Sequence, residues 1–303
     1  MIVLNEIQAH IINLKKEKNA LILAHFYQPM EIQETADIIG DSFELARRAQ
    51  AAANPLLIVC GVKFMAESAK LLNPGKTVLI PSLDAGCPMA DMITAQDVIA
   101  LREKHPGAAV VCYVNSSVEV KAESDICCTS SSAEKIVRTL PNKEIIFIPD
   151  RNLGSYIASL VPEKKFIFFD GYCPIHDRLT TGMVSSAKKL NPRASLLVHP
   201  ECPKDVRDTA DFIGSTAQIL NYVAENVGPF IIGTEIGIVE RMKRLYPEKS
   251  IHLLDECLLC PDMKKISLPD LLSSLRENRH EIILSDSQIS RAKQSLEKMS
   301  AAG

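Results

Sequence analysis

The strongest constraint on this chain is that it repeats itself three times. Ala36-Asp-Ile-Ile-Gly-Asp-Ser42 returns as Ser124-Asp-Ile-Cys-Cys-Thr-Ser130 and again as Ala210-Asp-Phe-Ile-Gly-Ser-Thr216, so Asp37, Asp125 and Asp211 lie 88 and 86 residues apart. Other landmarks keep this register. An apolar run ends in His25, then in Tyr113, then in His199. Pro74, Pro162 and Pro247 each precede a lysine and a short apolar run. Gly86-Cys-Pro88, Tyr172-Cys-Pro174 and Leu259-Cys-Pro261 follow, with cysteines 86 and 87 residues apart. A period this long suits small domains better than the turns of a solenoid.

Within a copy, β-rich apolar runs (20–25, 56–60 and 77–80 in the first) alternate with helical patterns such as 41–53 and 64–72. That alternation predicts parallel βα units and an α/β fold. Three such units can close around a pseudo-threefold axis. The expected borders are 1–92 (with an N-terminal helix), 93–178 and 179–303, the last ending in a helix–strand–helix tail. Residues 268–286 read as a fourth, partial copy, and 61–65 as a gate or the start of a helix.

Composition narrows the function. The net charge of −3, the absence of tryptophan and an aromatic content of 5% argue against nucleic-acid and membrane-surface partners. Met1–Gln8 lacks the basic and apolar regions of a secretory leader, and no apolar run is long enough to span a bilayer. A cytoplasmic location is expected. The nine cysteines are then reduced: core residues, ligands or catalytic groups rather than a disulfide framework.

The register singles out Cys87, Cys173 and Cys260. Each follows a predicted strand, in the loop at its carboxyl end, where α/β sheets place ligands. Three converging thiolates suit zinc or an iron–sulfur cluster. Zinc sites usually use closely spaced pairs, which this pattern lacks. A cubane held by three thiolates leaves one iron open to substrate. Cys60, Cys112, Cys127 and Cys202 read as core. Cys257 is ambiguous beside Cys260, which alone carries the following proline.

Polar groups fall in the same register. The strand ends Ala24-His-Phe-Tyr27, Cys112-Tyr-Val-Asn115 and Val198-His-Pro-Glu201 supply imidazoles, phenols, an amide and a carboxylate. Histidine there can bind an anion when protonated, or transfer protons. Asp41-Ser42, Thr129-Ser-Ser131 and Gly214-Ser-Thr216 precede helical patterns; they read equally as N-caps and as anion sites at helix N-termini. No dinucleotide or Walker A fingerprint occurs.

These residues resemble the quinolinate synthase family over nearly the whole chain. The matching segments are Ala24-His-Phe-Tyr-Gln28, Gly40-Asp-Ser-Phe-Glu-Leu-Ala46, Cys60-Gly-Val-Lys-Phe-Met65, Asp84-Ala-Gly-Cys-Pro-Met-Ala-Asp91 and Tyr113-Val-Asn115. Cys128-Thr-Ser130, His199-Pro-Glu-Cys202, Gly214-Ser-Thr216, Gly233-Thr-Glu235 and Cys260-Pro-Asp-Met-Lys264 complete the ordered set. The resemblance implies three αβα sandwich domains in a triangle with a 4Fe–4S cluster near its centre. It implies condensation of iminoaspartate (iminosuccinate) with dihydroxyacetone phosphate to quinolinate, phosphate and water, in NAD biosynthesis. Iminoaspartate would come from an aspartate oxidase or dehydrogenase. Cys87, Cys173 and Cys260 match the cluster ligands. His25, Ser42, Tyr113, Asn115, Ser130, His199, Glu201 and Thr216 match positions that hold substrate or transfer protons, and Tyr27 a catalytic tyrosine. Glu201 is the candidate general base, with His199 beside it. Some members end in C-x-x-C-x-x-C; Leu254 stands at the first position here, so a redox switch on the two upstream cysteines is not supported. The rival readings are another 4Fe–4S hydro-lyase acting on a small organic acid, an iron–sulfur redox sensor and a zinc protein.

Overall fold

The computed structural model describes residues 5–302. Met1–Leu4, part of the segment read for a leader, and Gly303 lie outside the described residues. Each copy builds one four-stranded sheet, and the three sheets share one topology. In the first, β1 (Ala20–His25), β2 (Ile38–Gly40), β3 (Leu56–Cys60) and β4 (Thr77–Leu79) stand in the order β2-β1-β3-β4. The second has β5 (Ala109–Tyr113), β6 (Ile126–Cys128), β7 (Glu144–Ile148) and β8 (Lys165–Phe168) in the order β6-β5-β7-β8. The third has β9 (Ser195–Val198), β10 (Phe212–Ile213), β11 (Phe230–Gly233) and β12 (Ile251–Leu253) in the order β10-β9-β11-β12. All nine pairings within the sheets are parallel. β3 and β5 are buried at every residue, which is why these strands read as continuous apolar runs. In each sheet the chain order reverses between the first and third strands, the switch point where α/β sheets open a crevice.

The repeated aspartates are structural. Asp37, Asp125 and Asp211 accept backbone N–H groups of the adjacent first strand: Ile22 at 2.9 Å, Val110 at 2.7 Å and Leu196 at 2.7 Å. Their own N–H groups donate to the carbonyls of the same three residues. Lys15, Arg102 and Lys188 of the preceding helices pair with them. Such half-exposed pairs contribute little, so the two backbone bonds that fasten the strand entry are the physical content of the motif. The lysines after the repeated prolines have an equivalent role. Lys76, Lys164 and Lys249 donate to Ala52, Leu140 and Val223, satisfying carbonyls at the ends of three helices.

The tail departs from the repeat. Helix Leu268–Glu277 packs on helix Glu6–Glu17, and Glu281 bridges Leu79 in antiparallel sense. Ile80 donates to His280 (3.1 Å) and Ile282 to Val78 (2.8 Å), closing the β4 edge that would otherwise stay open. Helix Asp286–Ala302 then lies on β6, helix Val118–Ala122 and helix Lys63–Leu72, burying Ala292, Leu296 and Met299. The partial fourth copy is therefore an edge clasp, and the gate candidate at 61–65 is the run into helix Lys63–Leu72. Among the described residues no helix is long and apolar enough to cross a membrane.

Candidate active site

Loops at the carboxyl ends of strands from all three sheets line one cavity of about 210 Å³. The strand ends contribute His25, Tyr113 and His199, followed by Tyr27, Asn115 and Glu201. Two helix starts contribute Ser42 and Thr216, and the turn before helix Ala133–Thr139 contributes Ser130. Cys87, Cys173 and Cys260 line the same cavity. Every residue singled out from the sequence as a ligand, substrate contact or catalytic group therefore reaches it.

The three Cys-Pro loops are clasped alike. The first residue of the helix after the third strand donates its N–H to the carbonyl two residues before the cysteine. The bonds are Lys63 to Ala85, Arg151 to Gly171 and Ile236 to Leu258, each 2.8 Å. In two copies a buried carboxylate adds a second hold. Cys173 N–H donates to Asp150 Oδ2 and Cys260 N–H to Glu235 Oε1, both at 3.2 Å. Val62 takes that register position in the first copy. All nine cysteines are free. Cys60, Cys112, Cys127 and Cys202 are buried in the core, while the Cys-Pro cysteines are half-buried at the cavity. Burial pushes the Cys87 thiol up to about 12 and the Cys260 thiol up to about 11. Cys257 lies outside the cavity lining, its thiol raised to about 11 by burial and by Asp255. Soft thiols facing one cavity form a donor set able to hold a metal centre.

Glu201 is a buried carboxylate of the site, 4% exposed. Tyr113 donates its hydroxyl to Oε1 at 2.6 Å, and His176 Nδ1 stands 2.8 Å from Oε2. Burial disfavours the charge, but the His199 and His176 imidazoles and the bonds from His176 and Tyr113 outweigh it and hold the carboxyl well below its usual range. Burial and Glu201 raise both the Tyr27 and the Tyr113 phenols, which stay protonated donors.

The histidines differ from expectation. Burial lowers His25 to about 3 and His199 to about 4, so both are neutral imidazoles at neutral pH. Their Nδ1 atoms accept backbone N–H groups, from Tyr27 at 3.1 Å and Glu201 at 3.3 Å. The ring proton then sits on Nε2, and each offers a neutral donor rather than an imidazolium.

At the helix starts, capping and lining fall on neighbouring residues. Asp41 caps helix Ser42–Ala51 and Ser215 caps helix Thr216–Glu225, leaving Ser42 and Thr216 for the cavity. The Asn115 Oδ1 atom is buried without a hydrogen-bond partner among the described residues. Thr216 Oγ1 is 2.8 Å from the Tyr27 hydroxyl, whose oxygen also lies 2.7 Å from Thr234 Oγ1.

His176 and Asp150 escaped the sequence reading, and Thr234 and Glu235 stood there only within the matching segment Gly233-Thr-Glu235, without a role. Cys173-Pro-Ile-His176 places a histidine where the other copies have Ala90 and Met263, a signal that the register could have shown. Asp150 and Glu235 were hidden because Val62 breaks their pattern. Glu235 is fully buried and paired to Lys264 at 2.9 Å.

Comparison with known proteins agrees over almost the whole length. The family model for quinolinate synthetase A protein matches residues 9–301. The quinolinate synthase of Caldicellulosiruptor saccharolyticus is 47% identical over 297 residues, covering 98% of each chain. That of Alkaliphilus metalliredigens is 50% identical over 287 residues, covering 94% of this chain and 95% of its own. That of Clostridioides difficile is 48% identical, covering 94% of each. With a family match from end to end and relatives at this identity, the chain belongs to the quinolinate synthase family.

Proposed function

We propose that this chain condenses iminoaspartate with dihydroxyacetone phosphate to give quinolinate, phosphate and water, in the cytoplasm, as a step of de novo NAD biosynthesis. In this reading Cys87, Cys173 and Cys260 hold one 4Fe–4S cluster, and an aspartate oxidase or dehydrogenase supplies the imine. The single observation that carries it is the meeting of three in-register thiols with Glu201, Tyr27 and Tyr113 on one cavity. The donor chemistry favours a cluster over one ion. Zinc sites usually draw closely spaced cysteine pairs, whereas Cys87, Cys173 and Cys260 come one from each repeat. When bound, the cluster supplies a Lewis acid at the iron that lacks a protein ligand.

The chain's own groups divide the remaining work. Glu201, ionised and buried, accepts a proton from the substrate carbon or hydroxyl. Tyr27 and Tyr113, with phenols raised by burial, act as donors. His25 and His199 offer Nε2–H to carboxylate or carbonyl oxygens. Ser42 and Thr216 at helix starts, with Ser130 in the turn before a third helix, meet the carboxylates and phosphate, and Asn115 Oδ1 accepts from a substrate hydroxyl or imine N–H. The test is protein purified without oxygen. About four irons and four sulfides per chain, with quinolinate and phosphate formed from the two substrates, are expected. A full cluster that consumes no dihydroxyacetone phosphate would overturn the reaction and leave a hydro-lyase.

A further inference from the structure

We infer that Gln33 and Lys121 are positioning residues, each holding the site turn of its own copy against the helix that clasps the cysteine loop of a neighbouring copy. The inference rests on the reading that those turns serve the reaction. Neither residue, nor its partner across the interface, lines the cavity. Short helices follow the three site turns: Met30–Gln33, Val118–Ala122 and Lys204–Arg207. They pack in a ring. The first lies on helix Ile236–Leu245, the second on Lys63–Leu72 and the third on Arg151–Leu160. Those are the helices whose first residues clasp the Cys260, Cys87 and Cys173 loops. Each contact carries a polar pair in register. Gln33, Lys121 and Arg207 lie 88 and 86 residues apart, and so do the residues that face them from the neighbours, Glu67, Ser155 and Arg241.

Gln33 is 1% exposed and Lys121 is 0% exposed. Lysine is almost never so buried without partners. Gln33 Nε2 donates to the carbonyls of Phe26 (2.9 Å) and Gln28 (2.8 Å), and its Oε1 accepts from Arg241 Nη1 at 3.4 Å. The Arg241 guanidinium also lies over the Phe26 ring, 5.9 Å from its centroid. Lys121 Nζ donates at 2.6 Å to the carbonyl of Ser116, the register equivalent of Gln28. Ser116 Oγ in turn donates to the Tyr113 carbonyl at 3.0 Å. Across the interface the ammonium lies over the Phe64 ring, 5.4 Å from its centroid. Burial raises the Glu67 carboxyl, and Lys121 is the first of the charges that oppose the rise. The third copy differs. Arg207 Nη2 donates across to Ser155 Oγ at 2.7 Å, with no bond to its own turn among the described residues, so two turns of the three are held this way. The same side chain thus fixes the end of a site turn and touches the neighbour's clasping helix. Tyr113 and Asn115 are thereby set against the Cys87 loop, and His25 and Tyr27 against the Cys260 loop. Without its donor the Ser116 carbonyl loses its strongest partner and the turn can shift.

Lys121→Met, which keeps the stem and removes the donor, should lower kcat about 30-fold, with KM within about threefold and iron and sulfide content unchanged. Lys121→Gln, which installs the amide that the first copy uses, should recover about tenfold of that loss. Gln33→Met should cost about tenfold in kcat. In cluster-free protein, Lys121→Met should speed hydrogen exchange of the Val114 and Ser116 amides about tenfold and leave the third sheet unchanged. Should Lys121→Met not fold once Glu67 has lost its counter-charge, Lys121→Met with Glu67→Gln removes both charges and carries the same test. Wild-type kcat and exchange in these variants, faster exchange spread evenly over the second sheet, or a rate loss that tracks iron loss would each overturn the inference. A wild-type protein with its full cluster that makes no quinolinate would instead sink the proposed reaction. Exchange at Val114 and Ser116 then decides the positioning role by itself, and unaltered exchange overturns it.

Discussion

The loop that carries Cys87 and the loops that carry Cys173 and Cys260 share a backbone clasp and differ in a carboxylate. The clasp is the same 2.8 Å bond in all three, so the repeat alone brings each thiol to the cavity. Asp150 and Glu235 add a side-chain hold to two loops, whereas Val62 fills the first copy's position with apolar volume, 2% exposed in the core. The repeat sets where the three thiols are. The departures from it set how stiffly each is held and what charge lies behind it.

The largest effect should come from the three proposed ligands. Cys87→Ser, Cys173→Ser and Cys260→Ser should each lose the cluster and more than about 1,000-fold of the rate, despite the different support of their loops. Cys60→Ser and Cys202→Ser, buried in sheet cores, should keep full iron content. One Cys-Pro variant with normal iron and rate would break the equivalence of the three arms. Next is Glu201→Gln, which removes the carboxylate but no ligand: about 1,000-fold lower kcat with the iron unchanged. Near-normal turnover there would take Glu201 out of the mechanism.

Support of the loops gives the next effect. Glu235→Ala removes the carboxylate partner of Lys264, which keeps only the Tyr27 carbonyl, and leaves the N–H groups of Gly237 and Cys260 without their acceptor, a loss of about 3 kcal/mol in stability with slower cluster uptake. Val62→Ala should cost about 1 kcal/mol by cavity formation and leave uptake at the wild-type rate. Equal uptake rates for the two variants, by absorbance during anaerobic reconstitution, would show that the carboxylate holds nothing that valine does not.

Much of this was legible in the sequence because repetition converts position into structure. The register of Asp37, Asp125 and Asp211 is visible because the same two backbone bonds are needed three times. The cysteines stand out for the same reason. What the register cannot carry is whatever one copy does alone. His176 stands where the other copies have Ala90 and Met263, Val62 stands where they have carboxylates, and the tail adds an antiparallel edge where a fourth, partial copy was expected. The protonation of His25 and His199 was also out of reach, since it follows from complete burial rather than from neighbours in sequence.

The strand ends extend the comparison to its smallest effect, because there the second copy is the odd one, with Tyr113 in place of a histidine. His25 is lowered from 6.5 to about 3 and His199 from 6.5 to about 4, burial being the main cause in both. As pH falls below 6.5 the unfolded chain takes up two protons that the folded chain refuses until about 4 and then about 3. Stability of the cluster-free protein should therefore be flat above about pH 7 and fall on acidification. The slope from these two imidazoles is at most about 1.4 kcal/mol per pH unit each. Glu201, held below its usual range, prolongs the loss below 4.5, where the unfolded carboxyl protonates first. Urea midpoints across pH 4 to 7 measure this. His25→Gln or His199→Gln should each flatten the slope between pH 6.5 and 4, while Tyr113→Phe should leave it in place, because the phenol does not titrate in that window. A slope unchanged in both glutamine variants would mean that the imidazoles protonate inside the folded site, and that the first and third copies present cations rather than neutral donors.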